Sequence, residues 1–137
     1  MGANRLLAAA GLLIAAFGLH GEPAEGRVRS RPKPASSERI PAAFQGVYDS
    51  SREACGRASD GRLTVTAGEL RFHESIGLVR SVARLPSGAL RVEADYQGEG
   101  EKWRSRRELR LSGDGRRLGI SGDGTSFDRV RCPKGGR

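Results

Sequence analysis

The sequence predicts an all-β fold: a small antiparallel meander barrel of seven or eight strands with one disulfide. Apolar and polar residues alternate with period two in several short runs, which is the pattern of strands with one buried face. Turn sequences rich in glycine separate these runs, and no segment shows sustained helical periodicity. The 137 residues leave room for one domain.

The clearest alternation predicts a hairpin in the second half of the domain. Every second residue between 90 and 97 is apolar, and the residues between them are polar or charged. Residues 98–101 carry two glycines and have the length of a hairpin loop. The return run places Trp103, Leu109 and Leu111 on the apolar face. One face of this hairpin is therefore predicted to line a core.

The other strands follow from the same alternation. In chain order they are predicted at residues 44–50, 63–67, 70–73, 76–85, 118–120 and 127–132. The pattern changes phase near Val79, which predicts a bulge or an edge. The inward-facing residues are predicted to be Phe44, Tyr48, Leu63, Val65, Leu70, Phe72, Val82, Leu90, Val92, Tyr96, Trp103, Leu109, Leu111, Leu118, Ile120 and Phe127.

The N-terminal segment predicts export. Arg5 precedes the apolar run 6–19, which is shorter than the roughly 20 residues of a membrane span and has the length of a signal-peptide core. Small residues at Ala16 and Gly18 fit a cleavage site, and the alternative is a retained anchor. We predict a signal peptide at 1–18, a disordered linker at 19–38, the barrel at 39–133, a flexible tail at 134–137, and a periplasmic or secreted location.

Two cysteines remain after the predicted cleavage, Cys55 and Cys132. In an exported protein two cysteines form a disulfide by default, and only one intramolecular pairing exists. We therefore predict a bond between Cys55 and Cys132. No spacing brings metal ligands together, so neither a metal site nor a cofactor is expected.

The polar face of the return strand carries a basic stripe, comprising Lys102, Arg104, Arg106 and Arg110. Such a row can contact an anionic cell-envelope polymer or an acidic partner protein, and the alternative is a solvated strand face. Nucleic acid is not an expected partner, because export removes the protein from it and no stacking aromatics accompany the arginines. Membrane contact is expected only through the signal peptide.

Two polar residues share the parity of the core face on this strand, Ser105 and Arg107. A buried charge is costly unless it is paired. Three alternatives follow: Arg107 lines a wet mouth or cavity, it meets an acid from another strand, or the strand register is broken.

The sequence offers little for catalysis. His73 is the only histidine of the predicted domain, and no base is placed to activate Ser50 or Ser51. The tetrapeptide Ser-Gly-Asp-Gly occurs twice, at 112–115 and 121–124. Both copies are predicted to be tight turns rather than calcium loops, because neighbouring acids are lacking. We predict that the protein is not an enzyme.

Gly46 and Tyr48 on the first strand, with Arg129 and Arg131 on the last, resemble the lipocalin and avidin barrels, in which an aromatic residue of the first strand meets an arginine of the last. The layout also resembles periplasmic lysozyme inhibitors, whose Ser-Gly recognition loop is similar to the repeated tetrapeptide. The chain is similar to small exported β-barrel proteins of proteobacteria that begin near Ile-Pro-x-x-Phe-x-Gly, at 40–46, and end in Arg-Cys-Pro, at 131–133. This last likeness implies an exported barrel and no activity.

Two functions are therefore expected. The first is a non-catalytic exported binding module that contacts an anionic envelope component or an acidic partner in the manner of an inhibitor. The alternative is a small-ligand carrier that uses the barrel interior near Ser105 and Arg107.

Overall fold

The computed structural model describes residues 36–135, which form an all-β domain of nine strands. The strands are β1 (Ser36–Ser37), β2 (Gly46–Asp49), β3 (Leu63–Val65), β4 (Glu69–Arg71), β5 (Ile76–Arg84), β6 (Leu90–Gly98), β7 (Glu101–Leu111), β8 (Arg117–Gly122) and β9 (Thr125–Arg131). Two short 3-10 helices lie at Ala42–Phe44 and Ala54–Gly56. The predicted signal peptide and most of the predicted linker lie outside the described residues. No helix within residues 36–135 is long and apolar enough to cross a membrane.

The predicted antiparallel meander barrel is confirmed. Each strand from β2 to β9 pairs with the next one along the chain, and β9 pairs with β2, so that eight strands close into a barrel. The additional strand β1 pairs with β5. The residues of β1, 36–37, lie within the segment that the sequence predicted to be a linker.

The hairpin of β6 and β7 is the longest pairing in the barrel. It runs in unbroken register from Leu90 opposite Leu109 to Gly98 opposite Glu101. The predicted four-residue loop is thus a two-residue turn, Glu99-Gly100, in which both residues have positive φ. The bulge predicted near Val79 is present, since the pairing of β5 with β6 shifts between Val79 and Ser81.

The core fills the barrel with the predicted apolar residues. Those almost completely buried are Tyr48, Leu63, Val65, Leu70, Val82, Leu90, Val92, Tyr96, Leu109, Leu118 and Ile120. Phe72, Leu111 and Phe127 are partly buried against this cluster. Phe44 is buried but lies in a 3-10 helix rather than on the first strand. The prediction for Trp103 was wrong: its side chain is 39% exposed, because it lies where β7 begins.

A meander places alternate connections at opposite ends of the barrel. At one end, here called the loop end, lie residues 50–62, 72–75, 99–100 and 123–124. At the other end, here called the closed end, lie residues 66–68, 85–89 and 112–116 together with the 3-10 helix Ala42–Phe44.

The predicted disulfide between Cys55 and Cys132 is confirmed, with the two Cα atoms 5.5 Å apart. It ties the long connection 50–62 to the residue that follows β9. The same connection covers Asp49, which is fully buried and accepts hydrogen bonds from Ser59, Ser50 and Arg62. Burial alone would raise the pKa of Asp49, but these hydrogen bonds hold it below its usual value.

Candidate binding site at the loop end

The basic stripe of β7 lies on the outside of the barrel, and its four side chains are exposed. Because β6 runs opposite β7, acids of β6 face the stripe: Asp95 is the register partner of Arg104, and Glu93 is that of Arg106. Arg104 Nε lies 2.6 Å from Asp95 Oδ1, and Arg106 Nη2 lies 3.5 Å from Glu93 Oε2. Arg110 pairs with Glu108 on its own strand. Three of the four predicted stripe residues therefore have acidic partners.

These ion pairs extend across β5, β6 and β7. Hydrogen bonds from Arg104 and from Arg80 of β5 lower the pKa of Asp95 to about 2. The side chains of Arg80 and Arg104 are mostly exposed to solvent, and exposed pairs contribute little to stability. The stripe is therefore part of a mixed-charge surface, which the sequence signalled through the acids at 93 and 95.

The polar residues predicted to face inward do so. Ser105 is buried and donates its hydroxyl hydrogen to Asp123 of the turn between β8 and β9. Arg107 is 15% exposed, and its Nη2 lies 3.6 Å from Asp123 Oδ2. The strand register is unbroken, so Arg107 meets an acid contributed by another part of the barrel. The structure thus brings Ser105 and Arg107 together with a residue that the sequence pattern had placed only in a turn.

Two aromatic rings enclose the Arg107 side chain. Its guanidinium carbon lies 5.6 Å from the ring centroid of Phe72 and 5.5 Å from that of Tyr96. The ring of Tyr96 also stacks on that of Trp103, with the ring centroids 5.6 Å apart and the planes within 10°. A guanidinium near aromatic faces is stabilised by the ring quadrupoles. This packing fixes Arg107 at the loop end and keeps much of it out of water.

The turn that supplies Asp123 lies against β7. Asp123 and Gly124 both have positive φ, as a two-residue hairpin turn requires. A Cβ atom on Gly122 would lie 2.6 Å from the carbonyl oxygen of Arg106, so glycine is needed for this close approach. The Asp-Gly pair was predicted as a tight turn, but a local pattern contains no information about which strand the turn lies against.

Two buried polar atoms at the loop end have no hydrogen-bond partner in the described part of the chain, Tyr96 Oη and Arg107 Nε. Burial raises the pKa of Tyr96, and the positive charge of Arg107 offsets part of this rise. The phenol therefore keeps its proton at neutral pH and remains a hydrogen-bond donor. A buried polar group without a partner costs about 1–3 kcal/mol, so both atoms are candidates for contact with a ligand.

A cleft of about 500 Å³ opens beside Arg107, with Phe72 and Phe127 among its walls. His73 and Asp60 also line it, and His73 Nε2 lies 3.5 Å from Asp60 Oδ1. A second cleft, of about 580 Å³, lies between the connection 72–75 and the start of β7, and Lys102 lines it. Both clefts share residues 72–75, so this short connection forms a wall of each. Within residues 36–135 no three His, Cys, Asp or Glu side chains converge to hold a metal ion.

The closed end contains a second arginine above a tyrosine. Arg131 lies over the ring of Tyr48, with its guanidinium carbon 4.7 Å from the ring centroid. Its three nitrogens donate to the carbonyl oxygens of Gly115, Gln45 and Ala43, each at 2.7 Å. Gly46 allows this approach, since a Cβ there would lie 2.8 Å from Arg131 Nη1. Of the two arginines named in the lipocalin resemblance, Arg131 is the one over Tyr48, whereas Arg129 lies over Phe127.

Comparison with protein-family models, with curated proteins and with solved structures finds no match to this chain.

Proposed function

We propose that the protein is a non-catalytic exported binding module that takes a small ligand with an anionic group and an apolar body at the loop end of the barrel. The observation that carries this proposal is Arg107, which is held between two aromatic rings, lines a cleft of about 500 Å³, and has a buried Nε without a partner in the described part of the chain. Export rests on the predicted signal peptide.

The anionic group is inferred from the donors that converge at the site. A guanidinium presents several N–H groups in a plane and pairs with carboxylate or phosphate oxygens. Tyr96, whose ring contacts the Arg107 guanidinium, also has a buried hydroxyl without a partner in the described part of the chain. Because the side chain of Arg107 is largely removed from water, a charge-assisted hydrogen bond to it is stronger than one on the surface.

The apolar body is inferred from the cleft walls. Phe72 and Phe127 line the cleft beside Arg107, and Trp103 exposes part of its ring at the same end of the barrel. The deeper interior is packed with leucine, isoleucine and valine side chains. Of the two functions expected from the sequence, the structure therefore favours the small-ligand alternative, with the ligand at the mouth of the barrel rather than deep inside it.

The other expected function, contact between the basic stripe and an anionic polymer or an acidic partner, remains a second proposal. Its support is that all four side chains of the stripe are exposed. One of them, Lys102, has no acidic partner within 4 Å in the described part of the chain. The ion pairs of Arg104 and Arg106 make it the weaker of the two.

Trp103 provides the test, because it is the only tryptophan and stacks on Tyr96. We suggest titrating the purified protein with octanoate, octyl phosphate and octanol while recording tryptophan fluorescence, with calorimetry as a second measurement. The two anions should bind saturably and the neutral alcohol should not. Arg107→Met should abolish the response, whereas the matched change Arg110→Met, on the outer face of the same strand, should leave it intact. Equal binding of octanol, or unchanged binding by Arg107→Met, would contradict the proposal.

A further inference from the structure

We infer that Asp123 occupies the place of the ligand's anionic group and that the ligand is a carboxylate, which displaces Asp123 from Ser105 and Arg107. The inference rests on the proposed function and assigns both the ligand class and a means of regulating the same site. Its basis is that a carboxylate of the chain itself already contacts the two polar side chains that β7 directs into the barrel.

The contacts of Asp123 are not those of an ordinary turn residue. In the first copy of the repeated tetrapeptide, Asp114 accepts hydrogen bonds from Ser112 Oγ at 2.6 Å and from the backbone N–H of Arg116 at 3.0 Å. Its carboxylate therefore stabilises its own turn. In the second copy Asp123 makes no such bond, and the hydroxyl of Thr125 bonds to Gly122 O instead. The carboxylate of Asp123 is thus free of any local role and faces β7.

Asp123 is also placed so that it can leave. It is more than half exposed and belongs to a two-residue turn, so a change of side-chain rotamer carries its carboxylate into water. The 3.6 Å separation from Arg107 Nη2 exceeds hydrogen-bond distance. The contact with Arg107 is therefore a loose ion pair that a better-placed anion can replace.

An incoming carboxylate can make every contact of Asp123 and others besides. One of its oxygens can accept the Ser105 hydroxyl hydrogen, which would otherwise lose its partner inside the barrel. The other can accept N–H groups of Arg107, including the Nε that Asp123 leaves unpaired. This gain distinguishes the ligand from the internal carboxylate. The space beside Ser105 and Arg107 is filled by the carboxylate of Asp123. We therefore expect a planar carboxylate to fit there better than a tetrahedral phosphate.

The change Asp123→Asn tests the inference. It removes the charge, keeps the side-chain shape, and suits the left-handed backbone at this position. We expect octanoate to bind more tightly to this variant, by about tenfold if the internal carboxylate holds the site in about nine molecules of ten. Asp114→Asn, in the matching turn at the closed end, should not change octanoate binding. Octyl phosphate should bind more weakly than octanoate to both the parent protein and the Asp123→Asn variant.

The outcomes separate the two proposals. If octanoate binding depends on Arg107 but Asp123→Asn binds no more tightly, the displacement is wrong while the binding function stands. If octyl phosphate binds as tightly as octanoate, the carboxylate assignment is wrong. If neither the parent protein nor Asp123→Asn shows Arg107-dependent binding, the proposed function itself fails. Arg107-dependent binding by Asp123→Asn alone would support the displacement, with Asp123 holding the site in nearly every molecule of the parent protein.

A second measurement reports displacement directly. The Nε–H group of Arg107 gives its own resonance in nitrogen-15 spectra, and its position differs with the neighbouring anion. Without ligand, the parent protein and Asp123→Asn should differ at this resonance. With saturating octanoate the two should coincide, because the same ligand then contacts Arg107 in both. Distinct positions at saturation would show that Asp123 stays in place and would overturn the inference.

Discussion

The two ends of the barrel each hold an arginine over a tyrosine ring, and the two arginines differ in how fully they are paired. At the closed end, the three nitrogens of Arg131 donate to three backbone carbonyls. At the loop end, Arg107 has a loose ion pair with Asp123 and, within residues 36–135, an Nε without a partner. An arginine whose three nitrogens all have backbone partners supports the fold, whereas one with a buried unpaired nitrogen retains a donor that can contact a ligand.

The repeated tetrapeptide extends the comparison of the two ends, because one copy contacts Arg131 and the other contacts Arg107. The first copy offers Arg131 the carbonyl oxygen of Gly115, which belongs to the backbone and cannot move away. The second offers Arg107 the side chain of Asp123, which can change rotamer. The same four residues thus form a fixed contact at one end and a displaceable contact at the other.

The largest expected effect concerns the disulfide, which ties the connection 50–62 to the residue that follows Arg131. Replacing Cys55 and Cys132 with alanine removes a cross-link between residues that are 77 positions apart in the sequence. The chain-entropy model gives a loss of about 4.5 kcal/mol in the free energy of unfolding. Urea denaturation would measure it. Octanoate affinity should be retained at temperatures where the variant is folded, and a selective loss of binding would show that the disulfide also positions the connection 50–62, whose Asp60 lines the cleft.

The next effect concerns Arg131 itself. Arg131→Met removes three hydrogen bonds and leaves carbonyl oxygens of Ala43, Gln45 and Gly115 without this donor. We expect the free energy of unfolding to fall by about 2–3 kcal/mol, with octanoate binding unchanged. Thermal and urea unfolding would measure the loss. An unaltered stability would show that Arg131 is not the support that its contacts suggest.

The corresponding change at the loop end should behave in the opposite way. Arg107→Met replaces an incompletely paired charge by an apolar side chain of similar length between Phe72 and Tyr96. Stability should change by less than about 1 kcal/mol or rise, since apolar replacement of poorly paired buried charge is often favourable. Octanoate binding should be lost. Equal destabilisation by Arg107→Met and Arg131→Met would remove the distinction between the two arginines.

The sequence predicted much of this architecture because the alternation of apolar and polar residues along a strand indicates which face of the strand is buried. The barrel, the inward direction of Arg107 and the bulge near Val79 all follow from parity along single strands. Asp123 was missed because its role depends on the turn between β8 and β9 approaching β7, and residues 105 and 123 are far apart in the chain. Periodicity within a strand carries no information about such a contact.

The basic stripe shows a second limit of predictions made from single strands. Parity correctly placed its four side chains outside, but the charge of a surface is the sum over neighbouring strands. The acids at 93 and 95 were visible on β6, and the hairpin register that brings them opposite Arg106 and Arg104 could have been derived from the turn. Trp103 illustrates the same point for burial, since inward parity does not bury a residue at the end of a strand.

The smallest expected effect concerns this stripe, where the sequence prediction of anion binding still awaits a test. Arg104→Ser with Arg106→Ser should barely move the melting temperature, because both side chains are exposed and outside the core. Retention on an anionic matrix should weaken, and more so at low salt, since screening lengths shorten as salt rises. The change leaves Glu93 without these arginine partners and leaves Asp95 paired with Arg80 alone, while the net charge falls by two.

The matched control removes Arg27 and Arg29, which lie outside the described residues, and lowers the net charge equally. If the stripe is a contact surface, the change on β7 should reduce retention more than the control does, with octanoate binding unaffected in both. Equal losses would show that only net charge matters. The pairs of Arg104 with Asp95 and of Arg106 with Glu93 would then be a solvated cross-strand network, and anion recognition would rest with Arg107 alone.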